Sequence, residues 1–322
     1  MDNQTQAPEV HRRSWDFRAV AAPFFIVGFQ RSGTTMLRMM LNAHPDVAIP
    51  HNSGELWPSY WKKDDGGARD AERLTQDLLA DARIRAWKVQ LDPEDLLADS
   101  RPVTLADVMR RFHEAYAVAQ GKRAWGDKNT GSLVELDRLN RMFPDCRIIH
   151  LVRDGRDCAL SHGSAEYVYG YENVLRTATE WREQVTLCHK MGAMLPQNRF
   201  LEVRYEDLLG DPEGWLRRIS GFLGIEYSER MLSYHADVDR FVPLEKRSLW
   251  PLLDRPPMAA NAYKWKRNMK AVDRAIFERN AGGLLREFGY ETSDTVPRRG
   301  RVREFLYEVH SRWAWRFKHW MK

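Results

Sequence analysis

One segment constrains the fold more than any other. The apolar run Phe24-Phe25-Ile26-Val27 leads into Gly28-Phe29-Gln30-Arg31-Ser32-Gly33-Thr34-Thr35, after which Met36, Leu37, Met40 and Leu41 recur at helical spacing. A short run that is apolar at every position reads as a strand buried on both faces of a parallel sheet. His44-Pro45 stops the helix that follows. The two glycines at the corners of the turn stand five apart, the spacing of a nucleotide-phosphate loop, whose usual form continues with Lys and then Ser or Thr. Thr34 takes the lysine's place here. The backbone logic survives the change. Glycines permit the tight turn, successive N–H groups make an anion nest, and the helix start adds positive partial charge. Arg31, inside the loop, offers a planar donor fork where a lysine would have offered a point charge.

The remaining elements extend this beginning into an α/β domain. Residues 68–84 and 104–120 read as amphipathic helices, and Leu133, Leu136, Leu139 and Phe143 as a third, ended by Pro144. Arg147-Ile148-Ile149-His150-Leu151-Val152 is a second buried strand, running into Arg153-Asp154-Gly155-Arg156-Asp157. A long helix over 172–194, a strand over 200–205, a helix over 215–223 and another over 272–288 follow. Residues 236–263 have poor periodicity and prolines at 243, 251, 256 and 257, and read as a long loop or lid. Strands separated by helices imply a P-loop-like central parallel sheet flanked by helices. The expected division is an N-terminal arm over 1–21, one domain over 22–292 and a basic aromatic tail over 293–322.

Composition narrows the setting. With 43% hydrophobic and 30% charged residues the chain is too apolar for a disordered protein. No apolar run is long enough to span a membrane, and MDNQTQAPEVHRRSW lacks a signal-peptide core. Cys146, Cys158 and Cys188 fit neither a disulfide framework nor a zinc site, so a cytoplasmic setting is expected. Of the formal charge of +5, residues 298–322 carry +6 and the rest of the chain −1. The basicity belongs to the tail and gives no reason to expect nucleic-acid binding.

In RIIHLVRDGRDCALS, Arg153 ends a strand and Ser161 lies eight residues on, in the following helix. An arginine at a strand's carboxyl end near a helix start suits a second phosphate, although such Arg-Asp pairs also occur as plain salt bridges. With the first loop, QRSGTTMLRMMLNAHPDV, and with VRYEDLLGDP, this segment resembles the sulfotransferases that use 3′-phosphoadenosine 5′-phosphosulfate (PAPS), above all their bacterial branch and the tyrosylprotein sulfotransferases. The resemblance covers roughly residues 22–290. It implies that Arg31, Ser32, Gly33, Thr34 and Thr35 clasp the 5′-phosphosulfate and that Arg153 and Ser161 clasp the 3′-phosphate. It places Tyr205 near the adenosine and gives Lys264-Trp265 to a segment that closes over the nucleotide. It implies sulfuryl transfer to a hydroxyl, less readily an amine, with release of adenosine 3′,5′-bisphosphate and no metal requirement. Tyr205 and Trp265 read equally as core packing.

The acceptor must lose a proton as it attacks. The family's bacterial branch places a glutamate shortly after HPDV, but this chain reads HPDVAIPHNSGELW, with Asn52 at the ungapped position. Glu55 is the favoured base and His51 its rival, since an imidazole titrates near 6.5. Lys128, read as part of a loop before the third helix, matches a family lysine that neutralises charge between donor phosphate and sulfuryl group. The acceptor itself (sugar, lipid, peptide or small molecule) is not legible. In the tail, Val302, Phe305, Leu306, Val309, Trp313, Phe317 and Trp320 share a helical face flanked by basic residues. That basic amphipathic helix suits a membrane surface, a docked position on the domain or a homodimer contact. Two other readings stay open: a P-loop kinase using ATP and magnesium, which Thr34 disfavours, and a non-catalytic nucleotide-binding or membrane-scaffold protein.

Overall fold

The computed structural model describes residues 22–51, 53–61, 71–91, 96, 104–129, 134–163, 173–242, 247, 250–293, 302–307 and 309. Five parallel strands form its sheet, in the order β2-β3-β1-β4-β5. These are β1 (Phe24–Val27), β2 (Val47–Ala48), β3 (Ala124–Lys128), β4 (Arg147–Val152) and β5 (Phe200–Arg204). The connecting helices are α1 (Thr34–Asn42), α2 (Ser53–Trp61), α3 (Ala71–Ala80), α4 (Leu105–Ala119), α5 (Leu136–Met142), α6 (Gly155–Gly163) and α7 (Val174–Ala193). After β5 come α8 (Tyr205–Gly210), α9 (Pro212–Leu223), α10 (Trp265–Asn268) and α11 (Ala271–Glu287).

β1 is central because nothing in it needs water. Its side chains alternate between two cores, as a period-two strand must. Phe25 and Val27 join Ile148, Trp125, Phe112, Trp181 and Phe277 on one face. Phe24 and Ile26 join Leu37, Ile149, Leu151, Val203 and Ile219 on the other. A parallel sheet covered on both faces gives continuous apolar runs in its middle strands, and that made β1 and β4 readable.

The structure corrects the sequence reading at several points. Residues 124–128, read as loop, are strand β3, with Ala124, Trp125, Gly126 and Asp127 buried. Its register pairs Phe24 with Gly126, and a Cβ at Gly126 would lie 2.4 Å from the Phe24 ring. The glycine that made the segment look like a turn is there to admit that ring. Residues 53–61, read as loop, form helix α2. The helix expected over 68–84 breaks at Asp81, whose carboxylate caps the next turn by accepting the Arg83 N–H at 2.8 Å. Tyr205 does not end β5 but opens α8. The long loop over 236–263 contains short helices at Val238–Phe241 and Ala259–Asn261.

Of the tail, residues 302–307 are helical. Their polar side meets the domain: Arg303 and the Tyr307 hydroxyl reach Asp273, and the Asn280 amide donates to Glu304 at 3.1 Å. Val302, Phe305 and Leu306 face outward. The amphipathic face expected beyond them, through Trp313, Phe317 and Trp320, lies outside the described residues, as do the arm over 1–21 and Asn52. No helix among the described residues is long and apolar enough to cross a membrane.

Candidate active site

Because every strand runs the same way, all the carboxyl ends lie along one edge of the sheet. Ligands of such sheets bind in the crevice there, where the strand order reverses, and here the reversal falls at β1. Across this edge, in spatial order, stand His51 beyond β2, Lys128 closing β3, the loop 28–35 after β1, Arg153 after β4 and Tyr205 after β5. At about 4.8 Å per strand, the edge from β2 to β4 spans about 14 Å. These sequence-predicted positions are therefore brought to one edge, with Lys128, Arg153 and Tyr205 separated from the loop by more than 90 positions of chain.

The loop turns through two left-handed residues, Arg31 (φ 68°) and Gly33 (φ 95°). A side chain at Gly33 would meet the Tyr205 ring at 2.5 Å, and one at Gly28 would meet the Leu151 carbonyl at 2.6 Å. The N–H groups of a helix's first turn have no intrahelical acceptor, and Gly33 gives α1 no side-chain cap, an arrangement that suits an anion. Ser32 also has contacts within the fold. Its N–H donates to Phe29 O at 3.1 Å and its buried hydroxyl lies 3.7 Å from the Cys158 thiol, so it ties the loop to α6.

Arg31 couples the two expected clasps. Its Nε donates to Ser161 Oγ at 2.8 Å, while its carbonyl accepts from Arg153 Nη1 at 3.0 Å. The guanidinium assigned to the 5′-end thus reaches the serine assigned to the 3′-end. Arg153 is almost wholly buried, lies 4.5 Å above the Tyr205 ring and donates through Nη2 to Asn261 O (3.3 Å) and Asp157 (3.4 Å). Its Nε is buried without a hydrogen-bond partner among the described residues. Burial pulls its pKa down, and Tyr205, Cys158, Asp157 and Glu206 more than offset this, so it stays charged. Lys264 is held below the usual lysine range by burial and then by Arg153. Two cations that press on each other in one crevice, one with an orphaned donor, make a site that an anion would relieve.

Three participants escaped the sequence reading. The Trp181 indole donates to Arg153 O at 3.1 Å, the Asn261 amide donates to the Tyr205 hydroxyl at 2.7 Å, and Asp157 accepts from the backbone of Lys264 and Trp265. Only Asp157 carried a signal, standing four residues past Arg153 and so one helical turn away. Tyr205 and Trp265 are both buried, each with its ring against an arginine. The Trp265 ring lies 3.5 Å under the Arg156 guanidinium, which is itself buried between Asp154 (2.7 Å) and Glu278 (2.6 Å).

Behind this network, Glu206 accepts from Asp154 N–H and from the Tyr290 hydroxyl. Burial pushes its carboxyl up to about 7, against those bonds, which favour the charged form. An unfolded chain's glutamate titrates near 4.3, so the native state holds the extra proton between these values. Stability therefore falls as pH rises from roughly 4.3 to 7, by on the order of 3 kcal/mol. Glu206→Gln should flatten that part of the melting-temperature profile between pH 4.5 and 7.5. An unchanged slope would remove Glu206 as its source.

Of the two candidate bases, Glu55 stands in the first turn of α2, and its side chain lies outside the described residues. His51 is buried, edge-on to Trp250 with ring centroids 6.2 Å apart. It lines a cavity of about 320 Å³ together with Trp87, Tyr116, Phe241, Lys88 and Arg247. Neither Arg153 nor Tyr205 is among its lining residues. Among the described residues no group of three or more His, Cys, Asp or Glu is placed to hold a metal ion.

Comparison with known proteins agrees with this geometry. The model of the sulfotransferase family matches residues 23–229, and the chain belongs to that family. It is 24% identical over 307 residues to protein-tyrosine sulfotransferase A of Caenorhabditis elegans, covering 91% of this chain and 74% of that protein. It is 27% identical over 184 residues to the omega-hydroxy-beta-dihydromenaquinone-9 sulfotransferase Stf3 of Mycobacterium tuberculosis, covering 54% of this chain and 43% of that one. It spans 45–55% of the length of three further protein-tyrosine sulfotransferases. The fold matches the sulfotransferase domain of the Synechococcus PCC 7002 olefin synthase with a TM-score of 0.61 at 22% identity, over 85% of this chain and 97% of that one. The protein is thus a sulfotransferase with a parallel α/β sheet.

Proposed function

We propose that this sulfotransferase takes PAPS as donor and transfers its sulfuryl group to a hydroxyl, releasing adenosine 3′,5′-bisphosphate. The observation that carries the donor reading is the convergence of Arg153, Lys264 and the Arg31–Ser161 pair on one crevice beside an uncapped helix start. A donor with phosphates at both ends of its ribose needs two such anion sites. The α1 N–H groups with Thr34 and Thr35 hold the 5′-end; Arg153, Ser161 and Lys264 hold the 3′-phosphate.

The order of strand ends then sets the chemistry. With adenosine at β5 and the 3′-phosphate at β4, the sulfuryl group is directed toward β3 and β2, where Lys128 and His51 stand. The acceptor oxygen forms its bond to sulfur as the bond between sulfur and the donor's phosphate oxygen breaks. Lys128 stabilises the charge left on that oxygen. His51 takes the hydroxyl proton as general base. His51 is put forward here because it lines the cavity beyond β2, with Glu55 the other candidate base. The names of the relatives support a hydroxyl acceptor, since a tyrosine side chain and an omega-hydroxyl are both hydroxyls.

The test is transfer from ³⁵S-labelled PAPS to a tyrosine-containing peptide and to a hydroxylated quinol, with the full chain. Labelled product and adenosine 3′,5′-bisphosphate in equal amounts are expected. His51→Gln should lower kcat by roughly 10²-fold and remove the acidic limb of its pH profile, whereas Glu55→Gln should leave that limb in place. Transfer of the phosphoryl group from γ-³²P-labelled ATP, with none of the ³⁵S label from PAPS, would overturn the donor reading.

A further inference from the structure

Resting on that donor reading, we infer that Asp157 is a positioning residue that joins the 3′-phosphate clasp to the segment covering it, so that the clasp is complete only when the segment is in place. Asp157 has the wrong sign for a phosphate site. Its carboxylate is buried and lies 3.4 Å from the guanidinium that would meet the phosphate. On charge alone it opposes the ligand. Its other contacts explain its presence. Oδ1 accepts the Trp265 N–H at 2.8 Å and Oδ2 the Lys264 N–H at 3.3 Å, across more than 100 residues of chain.

Those two N–H groups belong to the start of α10, which spans four residues and receives no side-chain cap from its own N-cap residue, Lys264. A single turn of helix is marginal by itself, and the cap that holds it comes from α6 instead. The segment so held is the one that supplies Lys264 beside Arg153, and Asn261, whose carbonyl accepts from Arg153 and whose amide donates to the Tyr205 hydroxyl. Asp157 therefore fixes the segment's distance from the clasp through the backbone. Its charge also compensates the buried Arg153. When a phosphate engages Arg153 and Lys264, the long Arg153–Asp157 contact is the one that yields, and the two backbone bonds remain.

This role predicts a selective loss. Adenosine 5′-phosphate lacks only the 3′-phosphate, so the ratio of its Kd to that of adenosine 3′,5′-bisphosphate reports the clasp. By titration calorimetry on the full chain, Asp157→Ala should lower that ratio by roughly tenfold or more while leaving the adenosine 5′-phosphate Kd within about threefold, the size expected for coupling between adjoining elements. Asp157→Asn, whose amide oxygen can serve only part of the three donors, should fall between wild type and alanine. It also carries the test if the alanine protein does not fold. Equal weakening of both nucleotides, an unchanged ratio, or a ratio that rises in Asp157→Asn would each overturn the positioning role. A wild-type protein that does not distinguish the two nucleotides would instead overturn the donor reading itself.

Discussion

Arg153→Met should weaken binding of adenosine 3′,5′-bisphosphate by roughly 30- to 1,000-fold, or about 2–4 kcal/mol, the range for truncating one partner of a desolvated charge pair. Methionine keeps most of the volume over the Tyr205 ring, where the guanidinium now lies 4.5 Å away, so the change removes charge and hydrogen bonds more than packing. Two consequences separate this from general damage. Arg153 donates to the carbonyls of Arg31 and Asn261, so its loss loosens the phosphate loop and the covering segment together, and a modest fall in melting temperature is expected. Adenosine 5′-phosphate, however, should lose far less affinity than the bisphosphate. Calorimetric titration of both nucleotides checks this, and a loss below about threefold for the bisphosphate would remove Arg153 from the clasp.

Lys128→Met should act on turnover instead. Lys128 is the last residue of β3, paired in register with Ile26 of β1, so its backbone is fixed by the sheet beside the start of the phosphate loop. In the proposed mechanism a cation there stabilises charge that develops on the leaving oxygen only as the sulfur bond breaks. Removing a preorganised group of this kind costs about 10²–10³-fold in kcat. Since the interaction belongs to the transition state, kcat and kcat/KM should fall together while the Kd of adenosine 3′,5′-bisphosphate changes little. Single-turnover measurement with labelled donor reads this directly. A loss confined to KM would make Lys128 a binding residue.

What the sequence shows plainly is what burial writes into it. β1 and β4 are sealed by helices on both faces, so Phe24–Val27 is unbroken apolar text and Ile148–Val152 is interrupted only by the buried His150, and the turns that follow them, at Gly28–Thr35 and Arg153–Asp157, mark the candidate site. β3 is written otherwise. Gly126 is demanded by the Phe24 ring, and the buried Asp127 and the strand-ending Lys128 add charge, so an interior strand looks like a loop. β2 is only two residues long, too short for any period. Pairings across the fold left no local trace either. Nothing near Arg31 says that its side chain turns to Ser161, and nothing near Asn261 says that it meets both Arg153 and Tyr205. Motif spacing picked out the two candidate anion sites, but their joining through Arg31, Asp157 and Asn261 is a property of the folded chain.

The most direct measurement is a crystal structure of the protein with adenosine 3′,5′-bisphosphate. The 5′-phosphate should lie on the N–H groups at Gly33–Thr35 and the 3′-phosphate against Arg153, Ser161 and Lys264, with His51 and Lys128 on the side away from the adenine. A nucleotide seated elsewhere, or one whose 3′-phosphate leaves Arg153 and Ser161 untouched, would contradict it.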